Sequence, residues 1–592
     1  MHQNGPSADS RMITRLFFRL LPTQILLAIV GAINGIVSGL FASNCIGDEA
    51  MTAIGLFSPV PQFLGAVSLM LVGGSQLLCG KQMGRNQYDE TQNIFSLDIA
   101  LSAGIGLLVT AAVLAWPISG LSLRLVSTRM ESDALNAYCF GQALGVLPFL
   151  LSQQLAAFLS LENKMRLTQT ATVVFIVANI LFNLLFVRIL DLGPFGLALA
   201  YSLGMWVFFS IQARYFLSGK SMFRFQFRNI RWKETLSIVV VGFPGAVSQG
   251  YQTLRKIIVN HLILQNIGSI GISAFTVSDT LLGIVWAIPT GMLTVSRMLM
   301  SISIGEEDRQ SLEDIMRVMF YRCLPLMGCV SALVILSAPL LTGLYVQDSS
   351  LPVYQLAVQG FRILPLCMPL SIIMMHFVCY GQASGKQFLV HLLSALDGVI
   401  CVAGFSALLV PAVGLKGVFI ANVLNGIVTT VVIWTYAWIS NRRFPRTVGE
   451  LMVIPPDFGV PPEERMDLTL QNMEEVVHVS DSVMEFCQSK GIDGKRAYLA
   501  GLFLEEMAGN VIDHGFRKDR KPHTVDIRVV HRKDDLILRI KDDCIPFNPA
   551  ERRQVTSPDD PAKNIGIRMI YSMTDRISYQ SILGLNVLTV QI

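Results

Sequence analysis

The chain has 592 residues, of which 52% are hydrophobic and 15% charged, and its net charge is +4. A soluble domain averages about 25% charged residues, so most of this chain is built for lipid, and so small a positive excess gives no reason to expect nucleic acid. Ten cysteines, scattered from Cys45 to Cys544 without CxxC pairing or metal spacing, argue against a disulfide framework and against a zinc site.

The polar start "MHQNGPSADSRMITR" has no small-residue cleavage site behind a short apolar core, which predicts a retained first span and no signal peptide. Roughly 20 apolar residues of helix cross a bilayer. Runs that long begin near Leu20, Ala53, Ile94, Phe140, Ala171, Phe195, Leu236, Ile272, Met319, Leu356, Leu389 and Leu415, predicting twelve spans. Lys and Arg collect in alternate loops, at Arg11 and Arg15, Lys81 and Arg85, Lys164 and Arg166, Arg214 to Lys233, Arg309, Lys386, and Arg442 to Arg446. The other loops hold Arg124, Arg129, Arg188 and Lys416. The positive-inside bias then puts both termini in the cytoplasm, and the chain is expected in the inner membrane.

A shift of 221 residues brings the halves into register. "IGDEAMTAIG" from Ile46 falls on "IGSIGISAFT" from Ile267, Ser75 on Ser296 and Gly84 on Gly305. Shared lipid solvent would align apolar runs, but not glycines and loop polar residues as well. Two six-helix repeats, 12–219 and 234–440, predict two lobes around a cavity, the usual architecture of alternating access.

The stretch "NGIVSGLFASNCIGDEAMTAIGLFSPVPQF…GGSQLLCGKQMGRNQYDE" resembles the first helices of the multidrug and toxic compound extrusion (MATE) transporters. "ANILFNLLFVRILDLGPFGLALA" and "GFPGAVSQGYQTLRKIIVNHLI" resemble later ones, and the likeness covers about 12–440. It implies an antiporter that exports small amphipathic solutes, coupled to Na or H. The chain departs from the family where that coupling resides. Ser38, Asn183 and Gln252 stand at the positions of three family carboxylates, and none of them can exchange a proton. The charges left in the spans are Arg255 and Lys256, with Asp98, Asp279 and Asp397. At bilayer depth each costs about 2.5–3.5 kcal/mol or more, so they are expected to face a cavity or one another. Arg255 and Lys256 lie about 100° apart around their helix, so one of them is expected to meet an anionic part of the substrate.

After a proline-rich linker, 441–466, the composition turns soluble. "MDLTLQ", two helices ending in "LFLEEMAGNVIDHGF", alternating strands "HTVDIRVVHR" and "DDLILRIKDD", a short helix at "NIGIRMIYSM", and strands "DRISYQSI" and "NVLTVQI" predict an α/β sandwich over 467–592. Glu506, Asn510 and His514, four residues apart, share one helical face. The carboxylate and amide oxygens of the first two suit magnesium with a phosphate, Asp542 ends a strand where it could accept a base amine, and Gly566 begins a helix whose free N–H groups favour phosphate. Each of these elements alone is commonplace on a solvated surface.

In this order they resemble the GHKL ATP-binding fold, nearest the anti-sigma-factor serine kinases. The resemblance implies ATP with Mg, Glu506 as general base, Asn510 as magnesium ligand, Asp542 as adenine reader, and a cytoplasmic partner phosphorylated on serine. Cys544 and Asn564 replace glycines of the family boxes, where side chains would crowd base or phosphate. "GQASGKQ" at Gly381 is one residue too short for a P-loop, so ATP is expected to regulate and not to drive. The fold class is therefore a polytopic α-helical membrane protein, twelve spans as two lobes, with a C-terminal sandwich. A flippase for an anionic or lipid-linked precursor, and a transport-dead receptor bundle carrying a kinase, are the competing functions.

Overall fold

Gly47 (φ 115°) and Gly268 (φ 83°) are left-handed, each just ahead of a helix, Asp48–Phe57 and Ser269–Val285. Only glycine reaches that conformation freely, and the two positions are related by the 221-residue shift seen in the sequence. The computed structural model describes residues 8–592 except 86, 121, 123–128, 228–229, 345, 347, 517–522, 533–534 and 547–576.

The first repeat holds α1 (Ala8–Phe41), α2 (Asp48–Phe57), α3 (Pro59–Gly84), α4 (Tyr88–Ile118), α5 (Arg129–Leu161), α6 (Met165–Asn183) and α7 (Gly193–Leu217). The second holds α8 (Thr235–Asn266), α9 (Ser269–Val285), α10 (Ala287–Gly305), α11 (Arg309–Val318), α12 (Leu324–Leu336), α13 (Pro352–Ile363), α14 (Cys367–Ser384), α15 (Gln387–Ala395), α16 (Cys401–Val413) and α17 (Lys416–Asn441). Among the described residues, eleven helical spans are long and apolar enough to cross a membrane, which makes the protein multi-pass. The run expected from Leu236 is not among them. It lies in α8, which has 32 residues but carries Gln249, Gln252, Arg255, Lys256, Asn260 and His261 within about four turns.

The repeats meet through α3, α8 and α10, and through α1 against α10. At one end of the bundle their backbones touch. A Cβ on Gly305 would lie 2.2 Å from the carbonyl oxygen of Lys81, and one on Gly84 2.5 Å from that of Ile302.

The C-terminal domain faces that same end. Its sheet has the order β1-β2-β3-β5-β4, all antiparallel, from β1 (Arg465–Leu470), β2 (Val525–Arg532), β3 (Asp535–Asp542), β4 (Ile577–Ile582) and β5 (Leu585–Gln591). Alternation along β3 turns Leu536, Leu538 and Ile540 inward, where they pack with Val483, Phe503, Leu504 and Met507 of α18 (Val479–Ser489) and α19 (Gly494–Asn510). The opposite face carries Arg528, Arg539 and Lys541. Arg528 of β2 stands directly opposite Arg539 of β3, a like-charge pair that is unfavourable in an isolated sheet. Asp467 of β1 meets Arg528 at 2.6 Å, and the bundle supplies further counter-charges. Arg528 pairs with Asp308 at 2.9 Å, while Arg539 and Lys541 reach Glu306 at 3.5 and 3.1 Å.

The β4–β5 hairpin enters the bundle. Its turn residues Leu583 and Gly584 both have positive φ, as a two-residue hairpin turn with matching twist demands. A leucine there is strained, and Leu583 is held by packing and by the backbone. It is 1% exposed inside the bundle's own core, its N–H donates to the Leu161 carbonyl at 3.0 Å, and its carbonyl accepts from Arg19 at 2.7 Å. Tyr88 at the start of α4 donates to the Tyr579 carbonyl at 2.7 Å. The domain therefore contacts the first repeat through α1, α4 and the α5–α6 turn, and the second through the α10–α11 turn.

Candidate functional site

α19 is amphipathic up to Asn510, and its last turns bring Glu506 and Asn510 together at the edge of the sandwich. The Asn510 amide donates to Glu506 Oε1 at 3.3 Å. Beyond Asn510 the helix widens into a π turn, Val511–Gly515, with His514 largely exposed beside Asp513. The helical-face argument thus holds for Glu506 and Asn510, and His514 joins them through the wider turn. A pocket opens between this corner and the sheet. Its walls include Asn510, His514, Asp542, Cys544, Tyr579 and Asn586.

Asp542, the last residue of β3, points into that pocket because the strand's period puts it on the inner face. It is 6% exposed and accepts from Asn586 Nδ2 at 2.8 Å and from the Cys544 N–H at 3.0 Å. Burial pushes its carboxyl up to about 6, against the pull of those two bonds. Asn586 also donates to the Cys544 carbonyl and accepts from Tyr579, so it fixes the carboxylate's position. The sequence did not single out Asn586 or Tyr579. The available signal was an amide near the start of the closing strand, on the face it shares with Leu588 and Val590.

Asp543 turns the other way. One oxygen meets His523 Nδ1 at 3.0 Å, and the other lies 3.6 Å from Arg15 of α1. Neighbouring carboxylates thus address the pocket and the bundle respectively.

Hard oxygen donors on Asn510 and Glu506 fit a magnesium ion with phosphate, and Asp542 fits an exocyclic amine. The base position is narrow. The free volume is about 30 Å³, far below the roughly 300 Å³ at which ligand pockets begin. Cys544 Sγ lies 2.9 Å from where a Gly515 Cβ would stand, so the thiol occupies space that a glycine would leave open. Gly566 and Asn564, expected at the phosphates, lie outside the described residues.

A second site lies in the bundle. A cavity of about 320 Å³ is lined by Gln252, Arg255 and Lys256 of α8, Asp279 of α9, Asp397, and Asn425 of α17. Lys256 pairs with Asp279 at 3.3 Å. The chain widens into a π turn over Leu396–Ile400, where Arg255 donates to the Asp397 carbonyl at 3.3 Å and Asn425 to its carboxylate at 2.8 Å. Both basic residues therefore face the cavity, accompanied by two carboxylates. Ser38, Asn183 and Asp98 do not line it. Ser38 is half-buried in α1. Asn183 is buried against Asn179, donating to its carbonyl and side-chain oxygens. Asp98 is fully buried in α4.

Comparison with known proteins agrees with both parts. The MatE family model matches residues 25–185 and 244–401, and the model for a histidine kinase-like ATPase domain matches 470–592. Among solved structures, a MATE protein in complex with MaL6 is 20% identical, with a TM-score of 0.67 over 74% of this chain and 99% of its own. An outward-facing multidrug resistance MATE family transporter of the MOP superfamily is 21% identical, with the same score and coverage. A MOP superfamily transporter from Pyrococcus furiosus Vc1, described by the reverse polarity of its binding pocket, is 20% identical with a TM-score of 0.65, covering 76% of this chain and 99% of its own. At such identities the likeness establishes the fold. No curated protein matches the chain.

Proposed function

Because the chain belongs to the MatE family and ends in a histidine kinase-like ATPase domain, we propose that it exports small amphipathic solutes by alternating access between two six-helix lobes. In this proposal the ATPase domain lies in the cytoplasm of the inner membrane and regulates the exchange through ATP with Mg. Asn510 would hold the metal against the phosphates, Asp542 would accept the base amine, and Glu506 would take a proton. The ion supplies charge neutralisation at the phosphates when bound.

One observation carries the regulatory part: the β4–β5 hairpin and the basic face of the sheet engage both repeats where they converge. A domain that grips both lobes at the cytoplasmic end has different contacts when that end opens, which is what allosteric coupling requires. Asp543 adjoins the base-reading Asp542 and pairs with Arg15 of α1, so nucleotide at the pocket and movement of α1 bear on one short segment. The cavity around Arg255, Lys256, Asp279 and Asp397 suits a solute with both a cationic and an anionic group, since its two cations are matched by two carboxylates. That balance favours an amphipathic or zwitterionic solute over a purely anionic lipid precursor.

Reconstitution of the full chain in proteoliposomes tests the proposal. Flux of a fluorescent amphipathic dye should appear and should change severalfold when Mg-ATP is supplied to the domain side. Absence of flux for any dye under either ion gradient would favour a receptor. Flux indifferent to ATP would remove the regulatory role.

A further inference from the structure

The outer face of the sheet does not lie flat against the bundle. A cavity of about 480 Å³ separates them, large enough for a small molecule. The strand register gives its floor. One row across the sheet reads Arg528, Arg539, Thr589 and Ser578, each directly opposite the next. Two residues along the strands, the next row on this face reads Arg465, Val530, Ile537 and Gln591. The facing wall belongs to both repeats, with Gly84 and Arg85 at the end of α3 and Gly305 to Glu307 at the α10–α11 turn, and Val460 of the linker completes the lining. The nucleotide pocket lies under the opposite face of the sheet, at Asp542.

A guanidinium carries five N–H donors in a planar fork. Arg528 is taken up by Asp308 and Asp467. The other three forks around the cavity are not filled. Arg465 reaches Asp467 through Nε at 3.1 Å. Arg539 reaches Glu306 through one terminal nitrogen at 3.5 Å, and its Nε is buried without a hydrogen-bond partner. Arg85 is exposed and pairs with no carboxylate among the described residues. The carboxylates of the lining do not make up the difference, because Glu306 is shared between Arg539 and Lys541 and Glu307 is partnered already. Ser578 Oγ and Thr589 Oγ1 are orphaned in the same row as Arg539.

We propose that this chamber binds a small organic phosphate, with its oxygens between Arg85 on the bundle and Arg465 and Arg539 on the sheet. Phosphate oxygens match a guanidinium fork two at a time. Forks arriving from opposite walls suit a tetrahedral group better than a planar carboxylate. A turn about χ1 lets the Thr589 or Ser578 hydroxyl donate to the same group and gain the partner it lacks. Val530 and Ile537, beside the arginines, offer an apolar floor to a carbon skeleton, which favours a phosphate ester over the bare ion. Because the walls come from both repeats, the linker and the sheet, the ligand binds the docked arrangement and stabilises it by mass action. The ester can be a free metabolite or the headgroup of a lipid, and the chemistry of recognition is the same for both.

The purified full chain in phosphatidylcholine nanodiscs would be titrated calorimetrically with glycerol 3-phosphate. Saturable binding at one site is expected, together with slower proteolysis of the 441–466 linker. Affinity should be about tenfold lower in Arg85→Gln, which removes a fork that makes no ion pair. Thr589→Val is nearly isosteric and should weaken binding severalfold, and it decides the matter if Arg85→Gln does not match the wild type in monodispersity and melting. In a second arm, the protein is released from nanodiscs containing phosphatidic acid, and retained lipid is counted by native mass spectrometry. Retention that is lost in Arg85→Gln, without binding of glycerol 3-phosphate, identifies the source as a lipid headgroup. Binding in neither arm, or binding that both variants leave unchanged, overturns the site. Neither arm uses ATP or dye, so the result stands apart from the exporter reading and from the nucleotide pocket.

Discussion

Asp308 and Arg528 meet at 2.9 Å across the junction between bundle and ATPase domain, with 4% and 14% of their side chains exposed. Asp308 is fixed from the bundle side, because it caps α11 and accepts from the Ser311 N–H at 3.1 Å. Removing Arg528 would leave that carboxylate buried beside Lys541 alone. Breaking a buried pair from one side costs about 3–5 kcal/mol. Arg528→Ala is therefore expected to free the domain, measured as faster proteolysis of the 441–466 linker. Adding Asp308→Asn should restore part of the protection. Equal protection in wild type and Arg528→Ala would show that the pair does not hold the junction.

Acid should loosen the same junction. Burial by itself would raise the Asp308 carboxyl, but Arg528, Lys541 and the Ser311 bonds outweigh it and hold it well below the ordinary 3.8. A lowered folded value stabilises docking above about pH 4, and that contribution is lost as pH falls toward the folded value. Energy transfer between dyes on bundle and domain should drop in that acid range, and less so in Asp308→Asn.

Asp542 works in the opposite sense. Its folded value of about 6 is raised by burial, so its contribution to stability is complete below the ordinary 3.8 and is lost as pH climbs through about 6. At neutral pH it stands ionised, ready to accept a base amine. ATP affinity is expected to rise about tenfold from pH 5 to pH 7, following the ionised fraction. Asp542→Asn should flatten that profile in calorimetric titrations. A wild-type affinity that does not vary over this interval would remove Asp542 from the base site.

Cys544 narrows the pocket that Asp542 guards. Cys544→Gly is expected to tighten ATP binding by an order of magnitude, roughly 1.4 kcal/mol. Asn510→Ala should abolish magnesium-dependent binding, while Glu506→Gln should bind normally and lose turnover. Unchanged affinity in Cys544→Gly would mean that the thiol is not the obstruction.

Gly84 and Gly305 should tolerate nothing larger while the repeats stay together at this end. Alanine at 305 would press its methyl against the Lys81 carbonyl, and backbone on both sides leaves no flexible side chain to yield. Gly305→Ala is expected to favour separation of the repeats at this end, read as increased labelling of a cysteine introduced at Ile302. Labelling at the wild-type rate would refute this.

Much of the architecture was legible because it rests on short-range rules. Strand alternation located β2 and β3, the four-residue spacing set Glu506 and Asn510 within reach of each other, and the glycines at 47 and 268, which the 221-residue shift aligns, both precede helices with positive φ. The sequence marked Arg255, Lys256 and Asp279 as charges inside spans, and the structure sets all three at one cavity with Lys256 and Asp279 3.3 Å apart. What it hid were relationships over long separations. Arg528, Arg539 and Lys541 look like an ordinary solvated face until Glu306 and Asp308, more than two hundred residues earlier, are set against them. Asp98 was visible as a charge in a span, but that neither of its buried oxygens meets a hydrogen-bond partner was not. The polar stripe of α8 explains why one expected span fails a criterion of apolarity while still forming a full-length helix.

The acidic run Glu306–Glu307–Asp308 stands among loops that carry most of the bundle's basic residues on one side. Anionic headgroups would repel it, and the sheet's Arg528, Arg539 and Lys541 shield it while they are themselves kept from the bilayer surface. Undocking exposes both at once. Each liberated cation near an anionic leaflet gains about 1 kcal/mol, so a domain released from the transporter acquires affinity for the surrounding lipid. Leaflet composition thereby becomes a competitor for the regulatory face, and anionic lipid is expected to favour the unlatched protein.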